Sequence, residues 1–474
     1  MQSSHIMPTE STESSVDRLL EFIKTRQAAD KPISDLQEFE QVLREVFAAA
    51  ERELIGEELA RMDVELPVIE LDGVIYRKVQ RSEQTYFTSA GPVRVERNTY
   101  AAGRGETRLS VCPLEVRAGI IEGRWTPMAA KQALWVVAKM TPGDGERLFA
   151  MLGRMTPSKS SLDRLPKRVS AVWEARRDEF EDALLQQVKV PVEAVSVAVS
   201  LDGVMAPMKD GERGKKREQL AAQGRPQCGP AGYREVGCGT ISFHDKEGKR
   251  LRTLRFARMP ERRKTSLKTS LTATLTYVIE QRPDLQLVKV ADGAKDNWTF
   301  LAGELPQGVE VLDFYHACEH LGRALAAAYK EGSVEYQNRF EKLRMVLRDE
   351  PAGAGKVIRS LRYLRDKYPR RKALHRELNY FRRNRHRMQY ATVKSMNLPI
   401  SSGVIEAACK TLVAERMKCS GMRWRQAGGQ AILTLRSAIQ SNRFDETWLL
   451  LAATYKRDIK LPGNVLSFPI KLAS

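Results

Sequence analysis

The chain has 474 residues, 42% of them hydrophobic, and its 78 Lys and Arg against 59 Asp and Glu leave a formal charge of +19. That length and apolar content support several domains with substantial cores and exclude a disordered chain, and no run of about 18 apolar residues is present to cross a membrane. So large a positive surplus on a globular protein points to a polyanionic partner, with nucleic acid ahead of an anionic membrane surface.

Residues 1–65 read as a helical region, in which Val16, Leu19, Leu20 and Ile23 share one stripe after a polar start without the apolar core of a signal peptide. Over 66–113 the pattern changes to short apolar runs broken by Gly and Pro (Val68 and Ile69, Val74 and Tyr76, Tyr86 and Phe87, Val93 and Val95), a small β-meander. Asp72-Gly73 within it reads as a hairpin turn. Residues 114–190 return to helical spacing. A short helix over 144–152, a turn over 153–157 and a second helix from Ser158 carrying Lys159, Arg164, Lys167 and Arg168 have the form of a helix-turn-helix DNA reader. An ordinary helical hairpin with a solvated basic face has the same pattern, and Pro166 inside the second helix favours it.

Residues 191–315 are the most informative. Positions 195–201 are nearly all apolar, a strand buried on both faces that ends at Asp202-Gly203. Residues 236–243 and 251–256 are two further strands joined by a turn at 245–248. Residues 265–281 are helical, with Leu267, Leu271, Leu275 and Val278 on one side; residues 285–290 form another buried strand, ending at Ala291-Asp292-Gly293. A short helix with Trp298 follows, then a strand over 309–312 ending at Asp313. This order predicts an α/β mixed sheet with helices packed on it, and it resembles the ribonuclease-H-like fold of polynucleotidyl transferases.

Residues 316–398 read as a basic helical insertion into that core. From 356 to 394 there are 14 Lys and Arg against Asp366 and Glu377, a net of +12, interleaved with Tyr363, Tyr368, Tyr380, Phe381 and Tyr390. Basic residues such as Arg382, Arg383, Arg385 and Arg387 neutralise phosphates, while each ring reads either as a stacking platform or as part of a helix's core stripe. Residues 399–474 resume the core. Ser401-Ser402-Gly403 opens a helix whose buried stripe is Ile405, Cys409, Leu412 and Val413. Trp424, between Arg423 and Arg425, either stacks on a base or packs on the sheet.

Six cysteines (Cys112, Cys228, Cys238, Cys318, Cys409 and Cys419) include no CxxC pair, which argues against a disulfide framework or a zinc ribbon and for a reduced, cytoplasmic protein. Cys228 and Cys238 flank a glycine-rich stretch, 224–239, that reads as a flexible loop. His316 and His320, with Cys318 between them, offer only two well-placed zinc ligands. The Gly353-Ala354-Gly355-Lys356 segment lacks the spacing of a nucleotide-binding loop.

Asp202 and Asp292 each follow a predicted buried strand and precede a glycine, and open sheets place ligand sites at strand carboxyl ends. On adjacent strands their charges would raise each other's pKa unless a hard divalent cation such as Mg²⁺ or Mn²⁺ sat between them. The dipeptide by itself says little, because Leu71-Asp72-Gly73-Val74 repeats the letters of Leu201-Asp202-Gly203-Val204. The long apolar strand and the match at 292 separate Asp202 from that copy. Glu406 is the candidate third carboxylate. A Glu in a first turn also favours the helix dipole, but it lies four residues after Ser402 and a capping box needs three.

Asp202 in VSLDGV, Asp292 in VKVADGAKDNW and Glu406 in SSGVIEAACKTLV resemble the DDE triad of bacterial insertion-sequence transposases, at separations of 90 and 114 residues. Asp313-Phe314-Tyr315-His316 resembles the C/D-x-x-H signature that several transposase superfamilies carry after the second Asp. The VLDFYH, SGVIE and RMKCSGMRW stretches resemble the ISKra-type insertion-sequence family, over about residues 195–445. The resemblance implies a DNA transposase that cuts insertion-sequence ends and joins the freed 3′-hydroxyl to target DNA. Two Mg²⁺ (or Mn²⁺) ions would be held by Asp202, Asp292 and Glu406, with His316 supporting the site or the scissile phosphate. It also implies terminal inverted repeats and target DNA as partners, a homodimer on DNA, and a nucleoid-associated location. Two other classes keep these residues: a catalytically silent domesticated transposase that binds DNA, and a metal-dependent nuclease of the same fold.

Overall fold

The computed structural model describes residues 14–103, 108–209, 212–225 and 232–460. Contacts divide it into two units, Met1–Val172 with Trp448–Ser474, and Trp173–Thr447.

In the first unit, helices α1 (Ser15–Gln27) and α2 (Leu36–Arg61) start at Ser14 and Asp35, whose side chains accept from the backbone N–H of Val16 and Glu38. An antiparallel meander follows, with strands β1 (Val68–Leu71), β2 (Val74–Thr88), β3 (Gly91–Ala102) and β4 (Leu109–Val111) in that order across the sheet. The separate apolar runs at 74–76 and 86–87 belong to one strand of 15 residues, β2. Asp72 and Gly73 take φ of 51° and 76° and join Leu71 to its partner Val74, the two-residue hairpin the letters predict. Then come α3 (Pro113–Ala118), α4 (Pro127–Lys139), α5 (Pro142–Leu152) and α6 (Lys159–Ala175). Gly153, at φ 71°, ends α5 in the left-handed conformation, and α6 stays helical through Pro166.

In the second unit, α7 (Arg177–Leu185) precedes β5 (Ser196–Pro207), α8 (Glu212–Ala222), β6 (Tyr233–His244), β7 (Arg250–Arg258), α9 (Thr265–Gln281), β8 (Gln286–Ala291), α10 (Lys295–Gly303) and β9 (Val309–Leu312). The sheet order is β7-β6-β5-β8-β9. The first three strands are antiparallel, and β8 and β9 run parallel to β5. The protein is thus mixed α/β, with a four-strand meander and a five-strand mixed sheet.

Much of the stretch read as a flexible loop, 224–239, is strand. Gly237 and Gly239 lie in β6, where a Cβ on Gly239 would sit 2.6 Å from Leu271 of α9, so these glycines serve helix-on-sheet packing. Cys228 lies outside the described residues.

Helices α11 (Phe314–Ala326), α12 (Val334–Asp349), α13 (Gly353–Lys367), α14 (Lys372–Asn384) and α15 (Tyr390–Ser395) form the basic region. They share one core with the sheet: Val199, Val288 and Leu271 belong to the same buried cluster as Leu321, Leu347, Leu361, Phe381 and Tyr390. Phe381 and Tyr390 are therefore core residues, whereas Tyr363 is 64% exposed. Last come α16 (Gly403–Ala408), a π-helical stretch (Cys409–Ala414), α17 (Glu415–Met417), α18 (Gln426–Gln440) and α19 (Phe444–Ala453). Among the described residues no helix is long and apolar enough to cross a membrane.

Candidate active site

Strand register decides which carboxylates meet. β5 and β8 pair Ser196 with Gln286 and Val199 with Lys289, an offset of 90 residues; carried forward, it brings Asp202 level with Asp292. β8 and β9 pair Ala291 with Leu312, so the next residues, Asp292 and Asp313, are level too. Asp202 within β5, and Asp292 and Asp313 just past the ends of β8 and β9, thus fall at one height by register.

The structure corrects one detail of the sequence reading. Asp202 does not lie past a strand end, because β5 continues to Pro207 and Asp202 pairs with Cys238 of β6. Asp202-Gly203 does not turn because β6 runs unbroken beside it, with Gly203 opposite Gly237. The Glu235 carboxylate occupies the place of a side chain on Gly203, 1.9 Å from where a Cβ would be.

Asp202 Oδ1 accepts from its own neighbour, Gly203 N–H, at 2.7 Å, and Oδ2 lies 3.7 Å from the Cys409 thiol. Burial pushes the Asp202 carboxyl above its ordinary range, and the Asp292 charge adds to that against the pull of the Gly203 N–H and Lys264. Lys264 Nζ donates to the Asp202 carbonyl oxygen at 3.5 Å and pairs with Glu235 at 2.9 Å. Lys264 and the preceding Arg263 both have positive φ, 56° and 53°, a strain that persists only where surroundings enforce it. Glu261 helps to enforce it by accepting from the Ser266 hydroxyl and the Leu267 N–H.

Asp292 is held by one oxygen: Oδ1 accepts from Ala294 N–H and Asn297 Nδ2, each at 3.1 Å. Asp313 is different. It is 1% exposed, and its oxygens accept from the N–H groups of His316 and Ser402, so it ties the end of β9 to the start of α16. The Ser402 hydroxyl in turn donates to Glu406 Oε1 at 2.9 Å.

Glu406 is exposed in the first turn of α16, which packs on β5 and β6. Three residues on, Cys409 touches Asp202 and begins the π-helical stretch. Such stretches leave carbonyls without their usual helical partners. Here Arg436, 5% exposed, donates to the carbonyls of Leu412 (2.8 Å) and Thr411, and Gln440 Nε2 reaches Thr411 at 3.0 Å.

Asp202 and Asp292 are hard oxygen donors whose proximity suits a divalent cation. Glu406 sits on the adjoining helix, turned to Ser402. Among the described residues no three His, Cys, Asp or Glu side chains gather as a ligand cluster. The structure therefore brings two of the three predicted carboxylates together and leaves the third beside them.

His316 is half-buried in the first turn of α11, with Nδ1 3.6 Å from Glu319. His320 Nδ1 bonds to Glu377, itself 1% exposed, and the His320 ring stacks on Tyr380 at 3.4 Å and 9°. Burial holds the His320 imidazole below its ordinary pKa against the pull of Glu377. Tyr380 packs against the chain directly after Asp292, where a Cβ on Gly293 would lie 2.5 Å from its hydroxyl. Lys264, Asp313 and Tyr380 are neighbours of the site that the sequence reading did not select. Asp313 left a signal as the first letter of its motif and Tyr380 as one ring of the aromatic series in the basic region, whereas Lys264 left none.

No family model matches this chain, and no curated protein matches it.

The remaining predicted contacts fall into two groups. On α6, Lys159, Arg164, Lys167 and Arg168 are all exposed; Lys167 pairs with Asp163 and Arg168 with Glu122, leaving Lys159 and Arg164 without an ion pair among the described residues. Arg382, Arg383, Arg385, Arg423 and Arg425 are likewise exposed without an ion pair among the described residues. Arg387 is instead tied to Glu310 at 2.7 Å and lies over the Trp298 ring at 3.9 Å. Trp424 is built into the scaffold: its N–H donates to Pro207 and its indole to the Met417 carbonyl, each at 3.0 Å.

Proposed function

We propose that the second unit is a ribonuclease-H-like polynucleotidyl transferase core and that the chain is a DNA transposase. The observation that carries this reading is the β5–β8 register, whose 90-residue offset, carried past its last pair, brings Asp202 level with Asp292 just after β8, close enough for the Asp292 charge to act on Asp202. The β7-β6-β5-β8-β9 order, a glutamate helix docked beside the pair and the basic helical region agree with it.

Asp202 and Asp292 would hold the metal, and Glu406, now bonded to Ser402, would join them by giving up that bond. Two Mg²⁺ or Mn²⁺ ions bound there would supply an activated attacking oxygen and a stabilised leaving oxygen. Asp313 keeps the glutamate helix in place through Ser402. Lys264 keeps β5 aligned through the Asp202 carbonyl and Glu235, and His316 would support the site or the scissile phosphate. The substrates are insertion-sequence ends and target DNA, brought together by two copies of the chain.

Incubation of labelled transposon-end DNA with Mg²⁺ tests this. The native protein should nick at the ends and then yield a strand-transfer product. Asp202→Asn should bind the same DNA and cut none of it, and full nicking by that variant would sink the assignment. Nicking without strand transfer would mark a nuclease of this fold. The bond between Glu406 and Ser402 favours a second reading, a silent DNA-binding relative, for which neither protein would cut.

A further inference from the structure

A cavity of about 640 Å³ opens beside Gly293, next to Asp292, lined by Lys295, Trp298, Arg376, Tyr380, Arg383 and Arg387 together with the His320–Glu377 pair. We propose that it is a phosphate-binding subsite, seating one nucleotide of the strand next to the bond that is cut. The proposal rests on the nucleic-acid reading above and adds where the strand is gripped.

Charge is the first argument. Four cationic side chains face one carboxylate, Glu377, and that carboxylate is already bonded to His320 and to Arg376 Nε. Arg387 is matched by Glu310. Lys295 and Arg383 have no ion pair among the described residues, so the cavity holds positive charge that its own acids do not balance. A phosphate balances it, and its oxygens suit a guanidinium fork and an ammonium donor.

Shape is the second. The volume is that of a small-ligand site; a duplex does not enter it, whereas a phosphate with its sugar does. The walls are set before any ligand arrives. Tyr380 is fixed by its stack on His320, and Trp298 is fixed between the Arg387 guanidinium and its own indole bond to the Asp292 carbonyl at 2.6 Å. That bond ties one wall to the backbone of a candidate metal ligand. A group held here is thereby held against the cutting site, with little ordering left to do on binding.

Two sources share this chemistry, a 5′-terminal phosphate and an internal phosphodiester. The test is fluorescence anisotropy in EDTA with a short labelled single-stranded oligonucleotide, made with a 5′-phosphate and with a 5′-hydroxyl. The proteins are native, Lys295→Gln/Arg383→Gln, and Arg339→Gln/Lys342→Gln, an equal charge loss on the exposed face of α12. Matching melting temperatures show that each is folded. The cavity variant should bind about tenfold more weakly and lose about 0.7 from the salt slope for each phosphate contact removed, while the α12 variant stays near native. Tighter binding of the 5′-phosphate form, lost in the cavity variant, identifies the terminal phosphate; equal binding of both forms identifies a phosphodiester. Equal weakening by both variants, or none by the cavity variant, overturns the proposal. No metal is present, so this result is independent of whether Asp202→Asn abolishes nicking.

Discussion

The pairing offset of β5 and β8, 90 residues, equals the separation of Asp202 and Asp292 along the chain, so that register, carried three residues past its last pair of Val199 with Lys289, sets Asp202 in β5 level with Asp292 just after β8. Strands in a sheet lie about 4.8 Å apart, so two carboxylates at one height are a charge conflict that burial sharpens. A cation would resolve such a conflict, so the proposed function couples to stability at this pair.

Without metal, Asp202→Asn should melt at a higher temperature than the native protein. The folded state raises the Asp202 pKa, chiefly by burial; the ionised form is thus disfavoured in the fold at neutral pH, and a neutral isostere removes that cost. Adding Mg²⁺ or Mn²⁺ should reverse the order, since a ligand at a hundred times its Kd stabilises by about 2.7 kcal/mol. The same metal-induced shift in both proteins would show that Asp202 is not a ligand. Differential scanning fluorimetry with and without metal reads both effects.

Arg436→Met should cost about 1–3 kcal/mol, because the buried Leu412 carbonyl of the π-helical stretch loses its donor while Thr411 keeps only Gln440. Chemical denaturation measures it. A change within about 0.5 kcal/mol would be that of a surface substitution and would mean that Arg436 does not support the helix bearing Glu406.

The two Leu-Asp-Gly-Val copies should respond in opposite ways to alanine. Gly73, at φ 76° with nothing within 4 Å, carries only backbone strain, so Gly73→Ala should cost about 1–2 kcal/mol and leave DNA cleavage intact. A methyl on Gly203 meets the exposed Glu235 side chain from Cγ to Oε1 and, by displacing it, removes the partner of Lys264. Gly203→Ala should therefore change stability little and lower the nicking rate. Stability and nicking assays on the same two proteins check both halves.

Stability should also fall as the pH drops below the ordinary histidine value of about 6.5. Burial lowers the folded pKa of His320, so between the lowered value and the ordinary one the unfolded chain binds the extra proton and the fold loses ground. Glu377, whose folded pKa is also lowered, contributes in a separate window, lost as the pH falls through the carboxylate range. His320→Gln should flatten the slope of denaturation midpoint against pH across the histidine window. An unchanged slope would assign it to another group.

The fold was legible where residue pattern and packing agree. The apolar run at 195–201 is a central strand with neighbours on both sides, and Asp292 closes β8 as its letters suggest. Asp202 stood out in the sequence as a candidate but not as a mid-strand residue, since the same dipeptide turns at 72–73. What decides between the two is the continuous partner β6 with Gly237 opposite Gly203, and that pairing is not local in sequence. Lys264 was hidden because two successive positive φ values in non-glycine residues leave no letter behind. Tyr380, Phe381 and Tyr390 form one aromatic series in the sequence, yet only the fold separates two core rings from the one packed against the strand end after Asp292.

The central claim is that three carboxylates act together on a phosphodiester. Its most direct test is Mg²⁺- or Mn²⁺-dependent cleavage of labelled transposon-end DNA by the native protein beside Glu406→Gln. End-specific nicks made by the native protein and absent from the variant are the predicted result. Nicks that persist in the variant would contradict it and place the third ligand elsewhere.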